Sequence, residues 1–252
     1  MWLYRLLLGF IHFILYIRFI ISAIALKIQL LATGVFGSRG TSLSEIHLHS
    51  KNFTKLPLHI SFLVLEPEIS FEDVAKLIVW SMAMGISYIS IYDRKGVFKK
   101  KAAKLSTEVI HKQKEIFNDA KERYTFVIRT KSTKFDQTLA PKQVCISLLS
   151  EADGKEDIIE AAQDFCLEIQ RKETLPKHMN EDVFDQMLKA THGTPDTDLA
   201  LKFGNVPMLM GYLPWQTRLT EFISYRTHHA ITFSTYLGSL RQYDRCEKRF
   251  GK

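Results

Sequence analysis

The last four residues, Arg249, Phe250, Gly251 and Lys252, have types and a spacing that suit the binding of a phosphorylated ligand. An arginine guanidinium presents a planar fork of donors that matches phosphate oxygens. A glycine two residues later lets the backbone turn, so that an N–H group comes close to an anion. The Arg-x-Gly pattern therefore predicts diphosphate binding, while favourable placement of cations at a helix C-terminus is the alternative explanation of the charge.

The remaining reactive side chains form no metal-site or nucleophile pattern. The histidine pairs, His47 with His49 and His228 with His229, are predicted to be surface residues, and we assign no metal ligand to this chain. Wide spacing predicts that the cysteines are buried free thiols in a reducing compartment. These cysteines are Cys145, Cys166 and Cys246. No GxGxxG, GxxxxGK(S/T), GxSxG or HExxH motif occurs, which removes the commonest cofactor and hydrolase classes.

Composition predicts one globular domain with a basic balance. The 252 residues are 46% hydrophobic and 24% charged, with a net charge of +7. Such a balance fits nucleic acid, an anionic membrane face or a phosphorylated substrate. Because the basic residues do not form one long run, no nucleic-acid partner is predicted.

The stretch from Leu6 to Leu26 is nearly continuous apolar sequence, about as long as a helix that crosses a bilayer. His12 and Arg18 oppose insertion, and an arginine near the helix centre costs about 2.5–3.5 kcal/mol. The Leu, Ile and Phe residues of this stretch together contribute about 6 kcal/mol, so insertion is favoured. Residues 1–33 are therefore predicted to be an uncleaved membrane anchor, with a cleaved signal peptide as the alternative. The flanking cations predict a cytosolic position for the rest of the chain.

Residues 34–55 read as a linker, and residues 56–252 as one α/β domain with a mostly parallel sheet flanked by helices. Ser70 and Asp73 form a capping box at the start of a helix that Gly85 ends. Strands are predicted at residues 59–65, 88–92, 125–129, 144–149 and 199–203, and helices at 70–84, 106–124, 153–171, 183–188 and 233–248.

From about residue 58 onward the sequence resembles the cis-prenyltransferases (undecaprenyl and dehydrodolichyl diphosphate synthases), and above all their divergent, Nogo-B receptor type of subunit. Order and spacing of the matching segments agree over the whole α/β domain. These segments are residues 58–64, 85–92, 195–202, 213–216, 240–243 and 249–251. The resemblance implies the prenyltransferase fold and the head-to-tail condensation of prenyl diphosphates.

Departures from the family pattern imply that this chain lacks a complete active site. Catalytic members follow the first strand with Asp-Gly-Asn-Gly-Arg, whose Asp holds Mg²⁺ on the allylic diphosphate. Leu65 stands at that Asp position here, and Glu66 is one residue out of place and is expected to point away from the site. Asp-Arg-Lys-Gly at residues 93–96 replaces the expected Ser-x-Glu-Asn, and Lys202 replaces a phosphate-binding Arg.

The resemblance therefore implies a heteromeric enzyme of the endoplasmic reticulum membrane. A catalytic cis-prenyltransferase subunit would hold Mg²⁺ and make dehydrodolichyl diphosphate from farnesyl and isopentenyl diphosphates, for dolichol synthesis and protein glycosylation. Arg249 and Gly251 would enter the partner's active site and bind the diphosphate of isopentenyl diphosphate. Two alternatives remain: an inert membrane receptor or scaffold with a degenerate synthase fold, and a complete homodimeric synthase, which Leu65 disfavours.

Overall fold

A computed structural model describes residues 2–35, 42–117, 124–130 and 139–247. The chain divides into two units, Met1–Gly40 and Thr41–Lys252. The first contains helix α1 (Trp2–Val35), whose apolar run is interrupted by Arg5 and Arg18. Within the described ranges, no helix combines the length and apolar character that a membrane span requires, so the predicted transmembrane helix is not confirmed.

The second unit alternates helices and strands, as the sequence predicts. Its helices are α2 (Leu43–Ser50), α3 (Phe71–Met84), α4 (Val97–Lys100), α5 (Ala102–Phe117), α6 (Lys155–Gln170), α7 (Glu181–His192) and α8 (Phe233–Asp244). Its strands are β1 (His59–Val64), β2 (Tyr88–Tyr92), β3 (Thr125–Arg129), β4 (Gln143–Leu149), β5 (Leu199–Phe203) and β6 (Glu221–Tyr225).

The six strands form one sheet in the order β3-β4-β2-β1-β5-β6, and every neighbouring pair is parallel. All six residues of β1 are buried, as expected for a central strand that helices cover on both faces. The predicted parallel sheet flanked by helices is therefore confirmed. Strand β6 was not predicted, because Glu221 and Ser224 break its apolar pattern and it lies at the edge of the sheet.

Helix α3 begins and ends where its sequence predicts. Ser70 accepts a hydrogen bond from the Asp73 amide at 3.2 Å, and Gly85 takes the left-handed conformation with a φ of 89°. The Asp73 carboxylate accepts from the Ser70 hydroxyl, while the Ser70 amide donates to His228 instead of to Asp73. A residue far along the chain thus completes the start of α3.

Part of the predicted linker is a helix that belongs to the core. Ser42 accepts from the Glu45 amide at 3.3 Å and begins α2, whose Leu43 and Ile46 are buried. The linker prediction for residues 34–55 is therefore wrong at residues 43–50, because two apolar residues three positions apart are enough to hold a short helix against the core.

Replacing Ile46 with Ala should destabilise the domain by about 2–4 kcal/mol, because it empties a fully buried site. Leu48→Ala is the matched control, since Leu48 lies on the same helix with 65% of its surface exposed, and it should change the free energy of unfolding by no more than about 0.5 kcal/mol. Urea unfolding followed by tryptophan fluorescence measures both. Equal effects of the two substitutions would mean that α2 does not contribute to the core.

Candidate functional site

A cleft of about 220 Å³ opens where β1 and β2 end at the carboxyl edge of the sheet. This edge is the usual ligand site of open parallel α/β sheets. Leu65, Glu66, Asp93 and Arg94 are among the residues that line the cleft. Leu65 is half-buried against a small core cluster and donates its amide to the Phe203 carbonyl at 2.9 Å. The position thus contributes an apolar wall and no metal ligand.

Both carboxylate oxygens of Glu66 are held by the segment that follows β6. One oxygen accepts from the His228 amide and from His228 Nδ1, each at 2.7 Å, and the other accepts from the Thr227 hydroxyl at 2.6 Å. Burial alone would raise the pKa of Glu66, but the hydrogen bonds from His228 and Thr227 outweigh burial and lower the pKa. Glu66 is therefore an ionised structural acceptor.

His228 is fully buried, so the prediction that it lies on the surface is wrong. Its Nε2 accepts from the Ser70 amide at 2.9 Å, so the proton of the neutral ring resides on Nδ1 and is donated to Glu66. The imidazole joins the start of α3 to the end of β1 through the loop after β6. No local sequence signal marks this role, because Glu66 and His228 lie 162 positions apart.

Glu66, His228 and His229 bring possible metal-ligating atoms within 4.8 Å of one another. Both nitrogens of His228 and both oxygens of Glu66 already take part in hydrogen bonds. His229 Nε2 donates to the Glu68 carbonyl at 3.2 Å. The cluster is accounted for as a hydrogen-bonded hub, and the contacts give no reason to assign a metal to it.

The segment of residues 93–96 serves the fold. The buried Asp93 carboxylate accepts from the amides of Val97 at 2.7 Å and Phe98 at 3.0 Å, and so caps α4. Arg94 pairs with Glu151 at 2.9 Å on the surface. Since Leu65 offers no oxygen and the carboxylates of Glu66 and Asp93 are engaged, the residues at this cleft do not fit a magnesium ion.

A second cleft, of about 420 Å³, lies at the ends of β5 and β6. Lys202 and Arg226 give it two cations, and Lys202 Nζ donates to the Val206 carbonyl at 2.5 Å. Gly204 turns the chain here with a φ of 118°, where an added Cβ would lie 3.2 Å from the Leu65 carbonyl carbon. The lysine at the expected phosphate-binding position is thus turned toward its own backbone.

Two further sequence predictions are corrected in part. His47 and His49 are half-buried: His47 Nε2 lies 3.0 Å from the Tyr124 hydroxyl, and the His49 ring lies 6.0 Å from that of Phe233. The three cysteines are free, as predicted, but they are not all buried. Cys145 is buried, Cys246 is half-buried and Cys166 is exposed.

Arg249 and Gly251 lie outside the described residues, which end at residue 247. The helix that leads to them is described. Its buried face contains Phe233, Tyr236, Leu237, Leu240 and Tyr243, which recur at intervals of three and four residues in the sequence, as the buried face of a helix does. The role of the Arg-x-Gly pattern therefore stays a prediction.

Known proteins similar to this chain share its pattern and its fold. The sequence profile described as putative undecaprenyl diphosphate synthase matches residues 94–251. Two relatives are named as dehydrodolichyl diphosphate synthase complex subunits. That of Mus musculus is 42% identical over 205 residues, covering 80% of this chain and 68% of the relative. That of Homo sapiens is 40% identical over 204 residues, covering 80% of this chain and 69% of the relative.

The crystal structure of lavandulyl diphosphate synthase from Lavandula x intermedia, in complex with dimethylallyl diphosphate, has a TM-score of 0.52 and 17% identity. The similarity covers 78% of this chain and 99% of that one, and it extends the agreement from sequence to fold. The sequence profile, the relatives and the fold agree. The chain belongs to the cis-prenyltransferase family, whose profile is described as putative undecaprenyl diphosphate synthase.

Proposed function

We propose that this chain is the divergent subunit of a heteromeric cis-prenyltransferase that makes dehydrodolichyl diphosphate from farnesyl and isopentenyl diphosphates. The names of the relatives from Mus musculus and Homo sapiens support membership of such a complex. The observation that carries the proposal is Leu65 at the end of β1, beside a Glu66 whose carboxylate is fully engaged. A chain without these ligands needs a partner that has them, and the Mg²⁺ of the reaction belongs in the partner's active site.

Arg249 and Gly251 are the proposed contribution of this chain to catalysis. In the reaction a carbon–carbon bond forms between the allylic and isopentenyl units, the allylic diphosphate leaves, and a proton is lost. A guanidinium and a backbone N–H bind isopentenyl diphosphate through its phosphate oxygens and hold it in position for attack.

The geometry of the C-terminus supports delivery to a partner. Cys246 lies near Glu221, the first residue of β6, and therefore near the amino edge of the sheet. The three residues from Cys246 to Arg249 span at most about 11 Å. The cleft beside Leu65 is at the opposite edge, roughly 20 Å from the start of β1 at about 3.3 Å per residue. Cys246 is thus fixed at the edge of the sheet opposite the chain's own cleft.

The proposal includes attachment to the endoplasmic reticulum membrane through residues 1–33. Large apolar side chains of α1, from Tyr4 to Ile21, are exposed, and such side chains could contact lipid. Placing the α/β domain in the cytosol agrees with its free cysteines.

The purified chain alone should not elongate farnesyl diphosphate with isopentenyl diphosphate, because it offers no magnesium ligand at Leu65. Mixing it with a catalytic cis-prenyltransferase subunit should produce or sharply raise activity. Radiolabelled isopentenyl diphosphate incorporation measures both. Robust magnesium-dependent synthesis of polyprenyl diphosphate by this chain alone would contradict the proposal.

Arg249→Ala should lower the turnover of the mixed complex more than tenfold. A charge-assisted hydrogen bond is worth roughly 1.5–3 kcal/mol, and each 1.4 kcal/mol changes a rate about tenfold. Gly251→Val should be comparably harmful if the backbone there is left-handed. Arg245→Ala, which removes an exposed cation one helical turn earlier, is the control and should cost far less. Turnover and co-purification are measured on the same samples. Unchanged turnover of an intact Arg249→Ala complex would favour the scaffold alternative.

Deleting residues 1–27 should release the chain from membranes and leave partner binding intact, because these residues belong to the first unit, whereas the core of the α/β domain lies in the second. Retention in the pellet after a carbonate wash is the measurement. The other long uncharged stretch, residues 77–92, lies in α3 and β2 and is buried in that core. A truncated chain that stays in the pellet would therefore contradict the assignment of the anchor to residues 1–33.

A further inference from the structure

We infer that Lys55 and Asp244 form a clamp that positions the C-terminal tail for the binding of isopentenyl diphosphate. This inference rests on the proposed role of Arg249 and Gly251. It concerns residues outside the two clefts described above, which lie before β1 and at the end of α8. Lys55 and Asp244 are positioning residues, since they act through the tail and do not contact substrate themselves.

The first contact of the clamp is made by the Asp244 side chain. One carboxylate oxygen accepts from the Thr54 hydroxyl and from the Lys55 amide, each at 2.7 Å. The hydrogen bond from Thr54, followed by those from the backbone, lowers the pKa of Asp244 against the opposing effect of burial. The last residue of α8 is thus tied to the segment between α2 and β1 as an ionised acceptor.

The second contact is made by the Lys55 side chain. Its Nζ donates to the Cys246 carbonyl at 3.0 Å and lies 4.3 Å from the centre of the Tyr243 ring. Helices leave their last carbonyls without internal partners, and a lysine at this place satisfies a carbonyl just beyond the helix. Because the Tyr243 ring is buried, it gives the lysine stem a fixed surface to lie on.

The third contact ties the chain to the sheet. Cys246 Sγ donates to Glu221 at 3.5 Å, and Glu221 is the first residue of β6. The Asp244 carboxylate, the Cys246 carbonyl and the Cys246 thiol therefore fix residues 244–246 at three points. The first two groups contact the segment before β1, and the thiol contacts β6. Only Glu247 and Lys248 separate this fixed point from Arg249.

Fixing Cys246 limits the positions that Arg249, three residues later, can reach. The fewer positions the arginine can occupy away from the site it serves, the smaller the entropy cost of binding substrate. Loosening the clamp should weaken the binding of isopentenyl diphosphate more than that of farnesyl diphosphate, which the proposal assigns to the partner. The expected result is a higher KM for isopentenyl diphosphate and an unchanged KM for farnesyl diphosphate.

The first test measures the clamp in this chain without the partner. Lys55→Met removes the donor and keeps the length of an apolar stem. Iodoacetamide labelling of Cys246, followed by mass spectrometry, should then become severalfold faster, because the carbonyl contact that holds Cys246 near Glu221 is lost. The exposed Cys166 serves as the internal reference in the same molecule. Lys51→Met, four residues earlier and exposed, is the matched control. An unchanged ratio of Cys246 to Cys166 labelling would overturn the clamp.

The second test uses the full chain in complex with a catalytic subunit. Lys55→Met should raise the KM for isopentenyl diphosphate about three- to tenfold, because an Arg249 that is less restricted in position binds the diphosphate less tightly. The KM for farnesyl diphosphate, the Tm and co-purification should stay unchanged, and Lys55→Arg should restore the KM by restoring the donor. In the Arg249→Ala background Lys55→Met should have no further effect, because the clamp acts only through the tail.

Three results would contradict the inference in distinguishable ways. If Arg249→Ala impairs turnover but Lys55→Met leaves the KM for isopentenyl diphosphate unchanged, the clamp has no positioning role and the proposed function stands. A lower Tm, with equal changes in both KM values, would make Lys55 a purely structural residue. If Arg249→Ala has no effect in an intact complex, the proposed function fails and the inference fails with it.

Discussion

Parallel pairing of all neighbouring strands gives the sheet two chemically different edges. The loops that follow β1 and β2 lie at the carboxyl edge, where Leu65, Glu66 and Asp93 line one cleft. Segments that precede strands lie at the amino edge, where Asp198 accepts from the Leu58 amide and where Glu221 receives the Cys246 thiol. The degenerate cleft and the start of the C-terminal tail are therefore separated by the length of the strands, and this separation is imposed by the fold itself.

At the carboxyl edge, residues that stand in the place of an active site now stabilise the fold. Glu66 binds Thr227 and His228, His228 binds Ser70, and Asp93 caps α4. Each of these groups is polar and wholly or partly buried, and such a group costs free energy unless its hydrogen bonds are made. Removing the Glu66 side chain would leave the donors of His228 and Thr227 without their acceptor. Restoring a metal ligand at Leu65 alone would consequently not restore a metal site.

The sequence allowed prediction of the elements that depend on local signals. Apolar runs located β1 and β2, the capping box and Gly85 bounded α3, and the three-and-four spacing identified the buried face of α8. Strand β6 and helix α2 were not predicted from the sequence. Both are short and mix apolar with polar residues, and their burial depends on tertiary contacts. The place of Leu65 in the family pattern was visible in the sequence. The partner of its neighbour Glu66 was not, because that contact joins two strand ends far apart in the chain.

In the proposed complex this chain supplies Arg249 and Gly251 to a partner's site, and holding them there costs conformational entropy. Contacts at the amino edge of the sheet lower that cost. Fixing the backbone of one residue costs roughly 1–2 kcal/mol, so a long free tail would bind weakly even with a good phosphate contact. Folding already orders residues 244–246 through Thr54, Lys55 and Glu221, and the cost of ordering them is met by the stability of the domain. Only two residues separate this point from Arg249. In the proposed complex, a chain whose cleft offers no magnesium ligand at Leu65 contributes to a partner's site by holding residues 244–246, just before Arg249, at a defined place.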